Sequence, residues 1–167
     1  MRNCLTCLLA VVTVALCFIH PAAAGLCAVG AVTSYAFGDG NLKKTKAMPT
    51  GASAVTTDAI DLLTGTGGTF TDACELLISA PALTTGMLGD AATVKYDIVT
   101  SASSDLSGPT TIAATVLTQT GAGGAGAAAA TKRFRLPTDC QRYVGVKATK
   151  SAAGDASSVS MTIALVF

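Results

Sequence analysis

Charge is scarce in this chain. Asp, Glu, Lys and Arg supply 13% of its 167 residues, roughly half the usual share for a globular protein. Tryptophan is absent, aromatic residues make up 5%, and there is a single histidine, His20. The net charge of +1 leaves no global field to gather nucleic acid or an anionic membrane surface. Few aromatics stand beside the basic residues, so a surface that stacks bases is not expected. His20 lies in an apolar N-terminal segment, and removal of that segment would leave no histidine at all. Ser-His and Cys-His nucleophile pairs and histidine metal sites then have no source. Neither G-x-S-x-G nor H-E-x-x-H occurs. Asp58 and Asp61 fall on a strand-like stretch at a spacing that points them to opposite faces, so they form no carboxylate pair. Neither catalysis, a cofactor, a metal nor a small-molecule substrate is expected.

What is present is alanine, threonine, glycine and serine, a composition that builds a core from small and β-branched side chains under a neutral surface. The length suits one domain with a real core. Residues 1–24 carry Arg2, an apolar run from Leu5 to Ile19, then Pro21 and Ala22-Ala23-Ala24. This is the pattern of a secretory signal, and the run is shorter than the ~20 residues that span a bilayer. It reads as a cleaved signal or as a retained apolar arm. Residues 25–53 read as an N-terminal arm with a first strand, and 54–167 as the main domain.

Cys4, Cys7 and Cys17 fall in the apolar segment, and Cys27, Cys74 and Cys140 beyond it. Cys4-Leu-Thr-Cys7 is a C-x-x-C without the βαβ context of a redox motif. Without the first segment the cysteine number is odd, which is no disulfide framework and allows at most one internal pair.

Short apolar and β-branched stretches follow one another: Val32–Phe37, Ala54–Leu63, Cys74–Ala80, Thr93–Ala102, Thr110–Thr120, the "TKRFRLP" stretch, Arg142–Lys150 and Ser158–Phe167. In "TVKYDIVTSA" Val94, Tyr96 and Ile98 alternate with Lys95 and Asp97, the cleanest period of two in the chain. Val99 breaks the alternation, so one end of this strand is expected to be covered on both faces. The nearest helical candidate, Ala82–Ala92, is interrupted by Gly86 and Gly89. The fold predicted is all-β: an antiparallel, jelly-roll-like β-sandwich of about eight strands.

"GAGGAG" (Gly121–Gly126) spells G-x-G-x-x-G. A dinucleotide site needs a full helix and then a parallel strand after these glycines. Here the next strand follows too soon for a crossover helix. The stretch is therefore read as a flexible connection between antiparallel strands. "GDGN" (Gly38–Asn41) lacks the spaced carboxylates of a calcium loop and reads as a turn.

Two basic groups stand out, Lys43, Lys44 and Lys46, and then Lys132, Arg133 and Arg135, with Arg142 opening a later strand. They read as solvated strand-edge charge or as contacts to an acidic partner.

In order, "TTDAIDL", "TVKYDIVTSASSDLSGPTTIA", "RFRLPTDCQRYVGVKAT" and a final strand ending in Val-Phe resemble the capsid cement (head decoration) proteins of tailed bacteriophages, over residues 50–167. The resemblance implies a jelly-roll-like sandwich that forms homotrimers on the virion exterior, at junctions between capsomers, and clamps the major capsid protein. On that reading "NLKKTKAMP" reaches an acidic patch of the shell, and Arg133, Arg135 and Arg142 face a subunit or capsid neighbour. The signal-like N-terminus departs from the pattern. It fits a virion protein only as a retained arm, and otherwise favours a secreted or surface-attached bacterial β-sandwich of adhesin or pilus type.

Overall fold

Apolar side chains at every second position of Thr93–Ser101 demand a strand with one buried face, and the same rule runs through the fold. The computed structural model describes residues 42–62, 74–138 and 140–166. The signal-like segment with its cysteines, the Val32–Phe37 stretch and the "GDGN" turn lie outside the described residues. Among the described residues there is no α-helix, and nine strands form two antiparallel sheets. They are β1 (Lys43–Ala47), β2 (Ala54–Thr56), β3 (Ile60–Asp61), β4 (Glu75–Ala80), β5 (Thr93–Ser101), β6 (Thr110–Thr120), β7 (Ala130–Arg135), β8 (Tyr143–Lys150) and β9 (Ser160–Val166). The fold predicted from the alternation is the fold observed, a β-sandwich.

One sheet has the order β1-β9-β4-β7; the other has β2-β8-β5-β6, with β3 also on β8. The pairs are nested. β5 pairs with β6, β4 with β7, β2 and β3 with β8, and β1 with β9. The chain is thus a long antiparallel ribbon closed at residues 102–109, and successive pairs alternate between the sheets. That winding is a jelly roll.

Each sheet sends one face inward. Leu76 and Ile78 of β4 and Met161, Ile163 and Leu165 of β9 meet Val94, Tyr96 and Ile98 of β5 and Val144, Val146 and Ala148 of β8, all fully buried. Burying a Leu, Ile or Met side chain is worth about 1.5–3 kcal/mol, so this interdigitated layer holds the sheets together. Tyr96 and Gln119 carry a polar bridge into it. The Tyr96 hydroxyl donates to Gln119 Oε1 at 2.7 Å, and Gln119 Nε2 donates to the carbonyls of Pro81 (2.8 Å) and Ala128 (2.7 Å). Gln119 belongs to one sheet, while Pro81 follows β4 and Ala128 precedes β7 of the other, so this amide ties the two sheets at one end.

Three local findings refine the sequence reading. Ala54–Leu63 splits into two short strands because Thr57 intervenes, its Oγ1 accepting the Val146 amide at 3.0 Å. Lys43–Ala47, inside the stretch read as an N-terminal arm, is an edge strand on β9. The glycine stretch is not a loose connection. The Gly121 amide donates to Ala92 O at 2.9 Å, the Ala127 amide to Leu83 O at 2.8 Å, and the Gly124 amide to Asp90 Oδ1 at 2.9 Å. A Cβ on Gly126, whose φ is +79°, would lie 2.0 Å from Leu83 O. Glycine is required there so that two backbones can touch.

Candidate partner-binding surface

Residues directly opposite on neighbouring strands share a face, so the registers define the outward side of the four-stranded sheet. On β9 and β4 the inward positions are Met161, Ile163 and Leu165, and Leu76, Ile78 and Ala80. The outward positions are therefore Ser160, Thr162 and Ala164, and Glu75, Leu77 and Ser79. Across all four strands they align in rows. Thr45, Thr162, Ser79 and Thr131 form one row, and Lys43, Ala164, Leu77 and Arg133 the next. The Thr45 and Thr162 hydroxyls are 3.4 Å apart. Four strands at the usual spacing make a face about 14 Å wide between its outer strand axes. Apart from Glu75 at one end and Leu77, its middle is small and uncharged, and its margins carry Lys43, Arg133 and Arg135.

The two basic groups of the sequence fall on the two edge strands, Lys43, Lys44 and Lys46 on β1 and Lys132, Arg133 and Arg135 on β7. Lys43, Arg133 and Arg135 share the outward face, whereas Lys44, Lys46 and Lys132 stand opposite the inward Ile163, Met161 and Ile78. Lysine on an exposed edge also discourages pairing with a foreign strand. Lys46 pairs with Asp58 at 3.0 Å and Arg133 with Glu75 at 3.6 Å, while Lys43 and Lys44 make no ion pair among the described residues. Exposed pairs of this kind contribute about 0–1 kcal/mol, so Lys46 and Arg133 can exchange partners at little cost.

Arg142 stands apart from this group. It immediately precedes β8 of the other sheet and forms a two-pronged bond to Asp61, Nε to Oδ1 and Nη2 to Oδ2, each 2.9 Å. Its guanidinium lies 5.2 Å from the Tyr143 ring centroid. The bond to Asp61, and then that carboxylate's charge, pushes the Arg142 pKa still higher. This arginine joins β3 to the start of β8.

The outward face of the second sheet differs in kind. Residues 102–109 fold back over it, and Leu106 covers Val99 and Gly145. This is the two-sided cover expected from the break at Val99. The Ser101 hydroxyl donates to Ser107 O at 2.8 Å and receives the Ser103 amide at 3.1 Å, fastening the loop. Beyond the loop the face carries Lys95, Asp97 and Lys147. Asp97 accepts the Thr115 amide at 2.7 Å, where Ala114, Thr115 and Val116 of β6 bulge opposite it.

Sequence reasoning found the basic margins but not the hydroxyl row between them. Thr45, Ser79, Thr131 and Thr162 sit on strands distant in sequence, and only the register aligns them. No group of three or more metal-ligating side chains occurs among the described residues. No protein-family model matches the chain, and no curated protein matches it.

Proposed function

We propose that this chain is a structural virion protein that binds the outer surface of a phage capsid and stabilises it by clamping neighbouring major capsid proteins. The observation that carries the reading is the four-stranded face, with its rows of Thr, Ser and Ala and its basic margins of Lys43, Arg133 and Arg135. Small side chains permit close approach over a broad area without costly desolvation of charge. The margins suit an acidic shell surface and orient the approach. Such contacts are individually weak. A homotrimer repeats them by symmetry, and avidity then replaces single-site affinity. The jelly roll gives the face a rigid backing. The test is co-sedimentation of the purified full chain with undecorated capsids built from the shell protein of the same genome. Binding that weakens with salt and with K43E/R133E supports the reading, and failure to sediment with particles overturns it.

A second reading rests on residues 1–24, whose basic start, apolar run and terminal alanines match an export signal. It makes the chain a secreted or surface-attached bacterial β-sandwich. Intact mass of the native protein separates the two: loss of residues 1–24 favours export, and their retention favours a virion arm.

A further inference from the structure

The fold gathers two thiols that lie 66 positions apart in sequence, Cys74 and Cys140. Both are fully buried in the sandwich core and neither is in a disulfide. Cys74 stands immediately before β4 on its inward-facing parity. The β4–β7 register ends at Glu75 opposite Arg135, so Cys74 lies beside Leu136, whose amide donates to Cys74 O at 3.4 Å. After Leu136 the chain turns back on itself, the Cys140 amide donating to Pro137 O at 3.2 Å. The Cys140 Sγ lies 3.5 Å from the buried Thr100 Oγ1 of β5, in the sheet that faces Cys74. The two sulfurs therefore share one end of the core, between the sheets. They also sense one another: burial, and then the charge of Cys140, push the Cys74 thiol above its ordinary value.

We propose that Cys74 and Cys140 are an oxidisable pair that closes into a disulfide across this end of the sandwich. The link joins the start of β4 to the turn before β8, and so ties one sheet to the other. It encloses β4 to β7 in one covalent loop, and a loop of that length removes much of the unfolded chain's freedom. The oxidant is a low-molecular-weight disulfide such as oxidised glutathione. One cysteine, as thiolate, attacks it and forms a mixed disulfide with release of one reduced glutathione. The second thiolate then displaces the other glutathione and forms the Cys74–Cys140 bond. The protein loses two protons and two electrons, and one oxidised glutathione becomes two reduced ones. Burial suppresses the thiolate and keeps glutathione from both sulfurs, so the first attack takes place when this end of the core opens locally, and closure of the folded protein is slow at neutral pH. The proposal holds for a virion protein and for an exported one.

The test uses the full chain, treated with oxidised glutathione, alkylated and digested with trypsin. The peptides to follow are Ala47–Lys95, which holds Cys74, and Leu136–Arg142, which holds Cys140. The expected product is the two peptides joined, in monomeric protein, with a raised Tm that dithiothreitol reverses. C140S should then leave Cys74 as a thiol or as its glutathione adduct, with no gain in Tm. C4S/C7S/C17S/C27S should still form the link, which excludes disulfide exchange through the N-terminal cysteines. Recovery of both peptides unlinked, or joined instead to Cys4, Cys7, Cys17 or Cys27, overturns the proposal. So does a link that forms without any change in Tm.

Discussion

Leu106 rests directly above Gly145: a Cβ on that glycine would lie 2.5 Å from Leu106 Cδ1 and 3.1 Å from Thr57 Oγ1. Leu106 itself sits at φ +55°, a left-handed conformation costly for a leucine. The loop accepts that cost because Leu106 covers Val99, which would otherwise stand apolar on an open sheet face. Gly145→Ala should therefore destabilise the protein by about 1–3 kcal/mol, the usual range for overpacking. The clash involves a side-chain end, so Leu106→Ala in the same chain should recover part of it. A double-mutant cycle in urea measures this, and simple additivity of the two losses would contradict the packing described.

The Tyr96–Gln119 bond gives a second prediction. Gln119→Leu leaves the buried Tyr96 hydroxyl with only the long contact to Met48 Sδ at 3.8 Å, and takes the amide from the part-buried carbonyls of Pro81 and Ala128. Unsatisfied buried groups cost about 1–3 kcal/mol each, and relaxation recovers part of the total, so a net loss of roughly 3 kcal/mol is expected. Tyr96→Phe removes one partner only and should cost about 1 kcal/mol. Chemical denaturation of both variants checks the ranking.

In the glycine stretch two substitutions should separate sharply. Gly126→Ala drives a Cβ into the Leu83 carbonyl, and backbone cannot swing aside as a side chain can. A loss of about 3 kcal/mol or more is expected, or failure to fold. Gly123 also has a positive φ, +62°, but a Cβ there meets nothing within 4 Å. Its alanine variant should cost only about 1 kcal/mol, the conformational term alone. Equal losses at the two positions, read by thermal melts, would mean that the close approach to Leu83 is not what demands glycine.

Stability should fall at both ends of the pH scale. Asp105 and Asp155 accept the amides of Ser107 and Ser157 at 2.9 and 2.8 Å, and these backbone bonds hold both carboxyls below the ordinary 3.8. Their contribution is complete above the unfolded value and disappears as pH falls through the lower folded one. At the alkaline end, burial pushes Tyr96 well above its ordinary 10.0. The folded protein keeps this proton where the unfolded chain loses it, so stability is intact below pH 10 and declines as pH climbs beyond it. Tyr96→Phe should flatten that alkaline decline, and Asp105→Asn the acid one. Urea midpoints across the pH range provide the measurement.

Lys150 works in the opposite sense. Only 2% exposed, it ends the inward row of β8, with its ammonium on the Gly154 carbonyl. Burial lowers its pKa, and the charge of Asp155 only partly opposes this. At neutral pH the buried charge is a cost, which fades as pH approaches the unfolded value of 10.5. Gly154 O keeps the Gly51 amide, at 2.8 Å, when the lysine is replaced. Lys150→Met should accordingly leave stability unchanged or raise it by about 1 kcal/mol, as read from thermal melts at pH 7.

Much of the architecture was legible without a structure. The alternation of Val94, Tyr96 and Ile98 marked the inward face of β5. The break at Val99 announced cover on both sides, and the short distance from Gly126 to the next strand excluded a nucleotide-binding crossover. Local physics decides these features, because a strand with one buried face must alternate and a crossover helix needs a minimum length. The basic groups that supply the margins of the candidate surface were legible too, as Lys43–Lys46 and Lys132–Arg135, but which of their side chains share the outward face was not. Other features were not. Nothing near Gln119 in sequence reveals that its amide meets Tyr96, Pro81 and Ala128. Nor does "LKKTKA" look like a strand until β9 supplies a partner.

The sequence by itself therefore determined the class of fold, because side-chain alternation and turn chemistry act between neighbours along the chain. The tertiary structure decided the winding of the ribbon and the register of its pairs. It alone brought Thr45, Thr162, Ser79 and Thr131 into one row, and Cys74 and Cys140 to one end of the core. Those relations join residues from about 50 to nearly 120 positions apart, and a period of two is silent about which strand lies beside which. Only the fit of two complete inner faces selects among the possible pairings.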